Sequence, residues 1–206
     1  MEKPMTKILH LDSSARSQES ATRVLTAEAV AQLKKAHPDA TVTYHDLTKD
    51  SLPHISPEYL GGIFGNPVHA NHETVKLSDK LIAELMEADV IVIGAPMYNF
   101  SIPSQLKAWI DYVLRAGKTF KYENGAPVGL VKGKKAIIAT ASGGIYGEGP
   151  MVPFDHVVPL LKQVLGFIGI ADITAVRAEK QAFGPEVASA SVNEAKAEIT
   201  QQAKAA

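Results

Sequence analysis

The chain has 206 residues, 46% hydrophobic and 21% charged, with 21 basic against 22 acidic side chains and a formal net charge of −1. That length suits one α/β domain over residues 1–206, and the composition excludes wholesale disorder, a broad basic face for nucleic acid and an acidic tail. With no cysteine, disulfides, thiolate zinc sites, iron–sulfur clusters and Cys nucleophiles are excluded.

The start, Met-Glu-Lys-Pro-Met-Thr-Lys, has neither the apolar core nor the small-residue cleavage site of a signal peptide. No apolar run approaches the ~18 residues of a membrane span, so the expected location is the cytoplasm. Residues 7–12 (KILHLD) read as a strand, and residues 20–37 as an amphipathic helix with Val24, Leu25, Val30 and Leu33 apolar. Residues 41–46 form a second β-branched strand. Residues 47–71 carry three prolines and three glycines and read as a long loop. A helix follows over 73–88, then residues 90–95 (VIVIGA), apolar on both faces as in the middle of a covered parallel sheet. After a loop at 96–102 comes a helix over 103–116, with Pro103 near its first turn and Gly117 as its stop. Residues 118–133 are irregular with room for a small hairpin, and Lys132–Lys135 reads as a solvated turn. A fourth strand at 135–141, a Gly-rich loop at 142–153, a helix at 155–168, a fifth strand at 171–178 and an Ala-rich helix at 186–204 complete the chain.

Strict β-α alternation implies a doubly wound five-stranded parallel sheet of flavodoxin-like order, 2-1-3-4-5, with helices on both faces. In such sheets ligands bind beyond the carboxyl ends of the strands, where strand order reverses. Three loops answer that description. The first is rich in hydroxyls and opens a helix, so Ser14, Ser20 and Thr22, with Arg16 as a cation, suit a phosphate. Ordinary N-capping favours the same residues. The loop matches neither GxxxxGK[ST] nor GxGxxG, so it is neither a Walker-type site nor a dinucleotide fingerprint; a hydroxyl-rich phosphate loop on this fold suits a mononucleotide such as FMN. The second loop, from Pro96 to Pro103, offers an aromatic and apolar bed for a flat heterocycle, with amides near Asn99 and Phe100 for its polar edge. A hydrophobic cap over the sheet edge is the alternative. The third loop, from Ser142 to Pro150, has adjacent glycines that admit close backbone approach, as many unliganded turns also do.

The run from Ala95 to Asp111 (APMYNFSIPSQLKAWID) resembles the FMN-dependent NADH azoreductase and quinone reductase family. So do Asp12-Ser13-Ser14, the run RAGKTF at 115–120 and GFIGI at 166–170. The resemblance implies a flavodoxin-like homodimer with one FMN per subunit, reducing quinones and azo bonds with electrons from NADH. It implies that Ser14, Ser20, Ala21 and Thr22 contact the phosphate and ribityl chain. Met97, Tyr98, Asn99 and Phe100 would hold the isoalloxazine, and Ala141, Ser142, Gly143 and Gly144 would line its other edge. The first loop is shorter than in some members, and Tyr146 replaces other side chains near the substrate.

No catalytic triad, GxSxG or Tyr-xxx-Lys pair is present, so no side chain is assigned as catalytic and the chemistry rests on FMN in a ping-pong cycle. Phe120, Tyr122, Tyr146 and Phe167 are the candidate walls of the substrate slot, some of them from a partner subunit; core or dimer packing is the other role for such aromatics. His69 and His72 read as polar loop residues rather than metal ligands, His10 as a packed strand residue and His156 as packing at a helix start. The rival reading from another class is a flavodoxin-type electron carrier, whose usual strong acidity this chain lacks.

Overall fold

The computed structural model describes residues 6–204, so the reading of the chain start as free of a signal-type leader lies largely outside the described residues. In chain order the first half holds β1 (Lys7–Asp12), α1 (Ala21–Ala36), β2 (Thr41–Asp46), α2 (Pro57–Ile63), α3 (Glu73–Glu87) and β3 (Val90–Pro96). The second half holds α4 (Ser104–Val113), β4 (Phe120–Glu123), β5 (Ala126–Gly129), β6 (Lys135–Ala141), α5 (Val158–Ile168), β7 (Asp172–Ala178) and α6 (Pro185–Lys204). The parallel sheet runs β2-β1-β3-β6-β7, and β4 pairs with β5 in a separate antiparallel hairpin. Setting the hairpin aside, this is the expected order 2-1-3-4-5.

β3 is buried along its whole length, as its unbroken apolar run requires in a strand covered on both faces. Alternate residues serve opposite layers. Leu9, Leu11, Ile91, Ile93 and Ile138 pack with Leu85, Trp109 and Leu161 from α3, α4 and α5. Ile8, Val92, Ala139 and Val176 pack with Leu25, Leu33 and Ile199 from α1 and α6. β2 is an edge strand and stays largely exposed until Asp46.

Several expectations are corrected. The long loop at 47–71 contains α2, started by Pro57 and capped by Ser56 Oγ, which accepts the Tyr59 amide at 3.2 Å. Its two glycines hide it from propensity, yet a Cβ on Gly62 would stand 2.6 Å from the His69 carbonyl oxygen, so the helix packs only because glycine is there. In α1, Val24 is exposed, whereas Thr26 is buried and donates to Asp12 Oδ1 at 2.8 Å. α4 stops at Val113 rather than Ala116, because buried Thr119 donates to the Val113 carbonyl at 2.7 Å and accepts the Arg115 amide at 3.1 Å. Pro103 is the N-cap of that helix, and residues 149–154 of the Gly-rich loop form a 3-10 turn. Lys134 is no solvated turn residue: its Nζ donates to the carbonyls of Met86 and Ala88, at 2.7 and 2.5 Å, closing the end of α3.

Candidate functional site

At the carboxyl edge of the sheet the chain leaves β1 toward β2 and leaves the adjacent β3 toward β6, on opposite sides, and a crevice opens between them. The loops after β1, β3 and β6 meet there around a cleft of about 180 Å³. Ser14, Ser20, Ala21 and Thr22 line it from the first loop and the start of α1; Met97 and Tyr98 line it from the second; Ala141, Ser142 and Gly143 from the third.

The first loop is pinned to the sheet by Ser13, whose hydroxyl and amide both donate to the Gly94 carbonyl, at 2.6 and 3.2 Å. A Cβ at position 94 would stand 2.8 Å from Asp12 Oδ1, so glycine lets α1 close over the sheet here. Ser20 caps α1 by accepting the Arg23 amide at 3.4 Å and lies 3.2 Å from the Thr22 hydroxyl. The first-turn amides of Ala21 and Thr22 find no acceptor among the described residues, and that turn has no acidic side chain. They leave a positive helix end facing the cleft.

Charged groups crowd behind this loop. Asp46 is held down at about 2 by its hydrogen bonds from Arg23, against burial, with Thr48 assisting. Burial pushes Asp12 up, but the His10 imidazole 3.5 Å away, the Thr26 hydroxyl and Arg23 outweigh it and hold the carboxyl low. Tyr44 donates to Asp12 Oδ2 at 3.1 Å and is pushed up to about 12 by burial and by that carboxylate. His10 is buried with its ring 4.8 Å from that of Tyr44.

The second loop is a tight turn in which Tyr98 and Ser101 exchange both backbone hydrogen bonds, at 2.9 and 3.1 Å. Asn99 and Phe100 occupy its corners with φ of 49° and 71°. Positive φ at two successive non-glycine residues is costly, and such strain collects at ligand sites. The Asn99 and Phe100 amides make no hydrogen bond within the described residues and stand at the exposed rim. The turn is braced from outside: His156, whose side chain is exposed rather than packed at a helix start, donates its amide to the Phe100 carbonyl at 3.0 Å. The Met97 amide bonds Ala141 O at 2.8 Å, coupling the second loop to the third.

The third loop is tied to the segment after β7. The carbonyls of Ser142, Gly143 and Gly144 accept the amides of Gln181, Ala182 and Lys180 at 3.0–3.2 Å. Gly144 and Tyr146 face a neighbouring apolar hollow of about 540 Å³, shared with Met151 and Phe183. Tyr146 and Phe154 flank Phe100, with ring centroids 6.3 and 5.8 Å from it. Phe120, Tyr122 and Phe167 do not line the cleft; they meet edge to face on the hairpin and α5, with centroids 4.7 Å apart for Phe120 and Phe167.

Gln181 lines the cleft although the sequence reading passed over it; the loop after β7 ends at the same sheet edge, which was signal enough. Phe154 and Phe183 were missed for want of any local pattern. Among the described residues no group of three or more His, Asp or Glu is placed to hold a metal ion. His72 instead caps α3, its Nδ1 accepting the Thr74 amide at 3.4 Å.

A family profile described as Flavodoxin-like fold matches residues 6–203. An FMN-dependent NADH:quinone oxidoreductase of Hyphomonas neptunium is 45% identical over 201 residues, 97% of each chain. An azoreductase structure from Bacillus anthracis superposes with a TM-score of 0.85 at 33% identity, covering 96% of this chain and 100% of that one. An FMN-dependent NADH-azoreductase of the same species, in complex with FMN, superposes with a TM-score of 0.84 at 26% identity over 97% of this chain and 100% of its own.

Proposed function

Because this chain belongs to the family with the flavodoxin-like fold, we propose that it is an FMN-dependent NADH:quinone oxidoreductase and azoreductase, with FMN held in the cleft at the carboxyl edge of the sheet. One observation carries the assignment: a single cleft joins an anion-binding end to a flat end. At the first, the Ala21 and Thr22 amides and the hydroxyls of Ser14, Ser20 and Thr22 offer donors, with Arg16 and Glu19 lining the same end of the cleft. At the second, Met97 and Tyr98 supply an apolar wall, and the open amides of Asn99 and Phe100 await the acceptors of a heterocycle edge. Ser142 and Gly143 line the cleft opposite, where they would border a bound ring.

When bound, FMN supplies the redox chemistry, taking two electrons from NADH and passing them to a quinone or an aromatic azo compound. The chain's part is to bind, orient and shield; no side chain is assigned as nucleophile or general base. NADH and acceptor would use the same open face beside Phe100 and Tyr146 in turn, so steady-state plots should show parallel lines. Phe120, Tyr122 and Phe167 serve that face from a partner in a homodimer, with one FMN per subunit. The reaction belongs to the cytoplasm; among the described residues no helix is long and apolar enough to cross a membrane.

The test is the visible spectrum of protein supplemented with FMN and desalted, before and after anaerobic NADH. A retained oxidised-flavin spectrum that bleaches on NADH addition is expected. Retained flavin indifferent to NADH and NADPH would favour an electron carrier, and no retained flavin would overturn the assignment of the cleft.

A further inference from the structure

The guanidinium of Arg23 is fully engaged within the chain, and two of its contacts reach the backbone of the cleft residues Ser14 and Arg16. Nη2 donates to the Ser14 carbonyl at 2.8 Å and Nε to the Arg16 carbonyl at 3.0 Å. Nη1 and Nη2 grip the two oxygens of Asp46 at 2.9 and 2.8 Å, a bidentate pair at the end of the neighbouring strand β2. The Tyr44 hydroxyl accepts the fifth donor at 3.2 Å, and the Thr48 hydroxyl, 3.3 Å from Nη2, shares a hydrogen already used there. The side chain is 15% exposed and does not line the cleft. It therefore has no donor left for a bound phosphate.

We infer that Arg23 is the positioning residue of the phosphate loop: anchored on Asp46, it holds the carbonyls of Ser14 and Arg16 inward and so keeps the loop's amides and hydroxyls turned to the cleft. The inference rests on the FMN reading above. In a trans peptide the C=O and N–H point in opposite directions, so fixing one fixes the other. The peptide unit between Ser14 and Ala15 shows the consequence: Arg23 holds its carbonyl while its N–H donates to the Tyr98 hydroxyl at 3.1 Å. One peptide thus spans from β2 to the second loop. Residues 15–19 are all exposed and Glu19 has a φ of 53°; beyond these contacts the stretch is tethered by the Arg16 amide, which donates to Ser14 Oγ at 3.3 Å. A lysine would keep the charge but present no planar fork for two carbonyls and a carboxylate.

A purely electrostatic account makes a different prediction. Asp12 and Asp46 are both buried beside a single guanidinium, so removing one negative charge should tighten binding of an anion nearby. On the positioning account, Asp46→Asn loosens the anchor and weakens that binding.

The experiment titrates apo-protein with FMN and with riboflavin, which lacks the phosphate, by flavin fluorescence quenching, with circular dichroism as the check on folding. For Arg23→Lys, FMN affinity should fall about tenfold while riboflavin affinity changes less than about threefold. Asp46→Asn should show the same selectivity at smaller size. FMN affinity within about twofold of the unchanged protein in both folded variants, or equal losses for the two flavins, would overturn the inference. Tighter FMN binding by Asp46→Asn would do so too. If Arg23→Lys does not fold, the ratio of FMN to riboflavin affinity in Asp46→Asn decides the matter. If the unchanged protein binds neither flavin, the FMN reading falls and this inference with it; if it prefers FMN and the variants match it, only this inference falls.

Discussion

Tyr98 joins two loops through one oxygen. Its hydroxyl accepts the Ala15 amide at 3.1 Å and lies 3.5 Å from Ser14 Oγ, a contact between residues 84 apart in sequence. Removing it by Tyr98→Phe leaves the ring and takes away that link, so FMN affinity should fall about five- to tenfold, read by fluorescence titration. An unchanged affinity would show that the two loops hold their places without it. Asp46 carries a second prediction. Its carboxyl is held at about 2, below the ordinary carboxylate value, because Arg23 binds the ionised form. A depressed carboxylate stabilises the fold above about pH 4 and loses that contribution as pH falls through about 2. Asp46→Asn should therefore be less stable near neutral pH and lose less between about pH 4 and 2, as measured by urea denaturation. Equal acid sensitivity in both proteins would assign the acid limb to other groups. At this scale the hydroxyls of the first loop were legible, since a helix start selects them by local chemistry. Thr26 was not: a buried threonine looks like a polar helix residue until Asp12 appears beneath it.

The third loop is built from outside itself. Glu179, just beyond β7, accepts the amides of Tyr146 and Gly147 at 2.8 and 2.7 Å. Arg177 stands 3.9 Å from that carboxylate and bonds Asp155 at 2.7 Å, and Asp155 in turn accepts the amides of Val157 and Val158 at the start of α5. One ionic chain thus sets both the loop carrying Tyr146 and the helix behind Phe154. Glu179→Ala removes two anchoring bonds, so KM for bulky azo dyes should shift about three- to tenfold while FMN retention is kept. Loss of FMN in step with KM would place the effect in the cofactor cleft instead. The strands and most of the helices were legible because periods of 2 and 3.6 are local signals. α2 was hidden by its glycines, which serve the close packing of His69, and the end of α4 by Thr119, whose role depends on the return of the chain.

For the whole molecule, the edge-to-face cluster of Phe120, Tyr122 and Phe167 does not line the cleft of its own chain, and Tyr122 is 65% exposed. If these rings serve a partner's substrate face, light scattering should give twice the chain mass of 22.0 kDa. Phe120→Ala and Phe167→Ala should then change kinetics toward bulky azo dyes. An active monomer, or unchanged kinetics in both variants, would return these rings to simple packing. Strand–helix alternation and the right-handed crossover leave few ways to wind five parallel strands, so the strand order was legible in the chain before folding. So were the sheet edge that bears the cleft and the three loops that reach it. How those loops are held emerged only once the chain was folded. Arg23 and Asp46, Tyr98 and Ala15, and Glu179 and Tyr146 lie 23 to 83 residues apart, and bonds across such spans leave no trace in any local pattern.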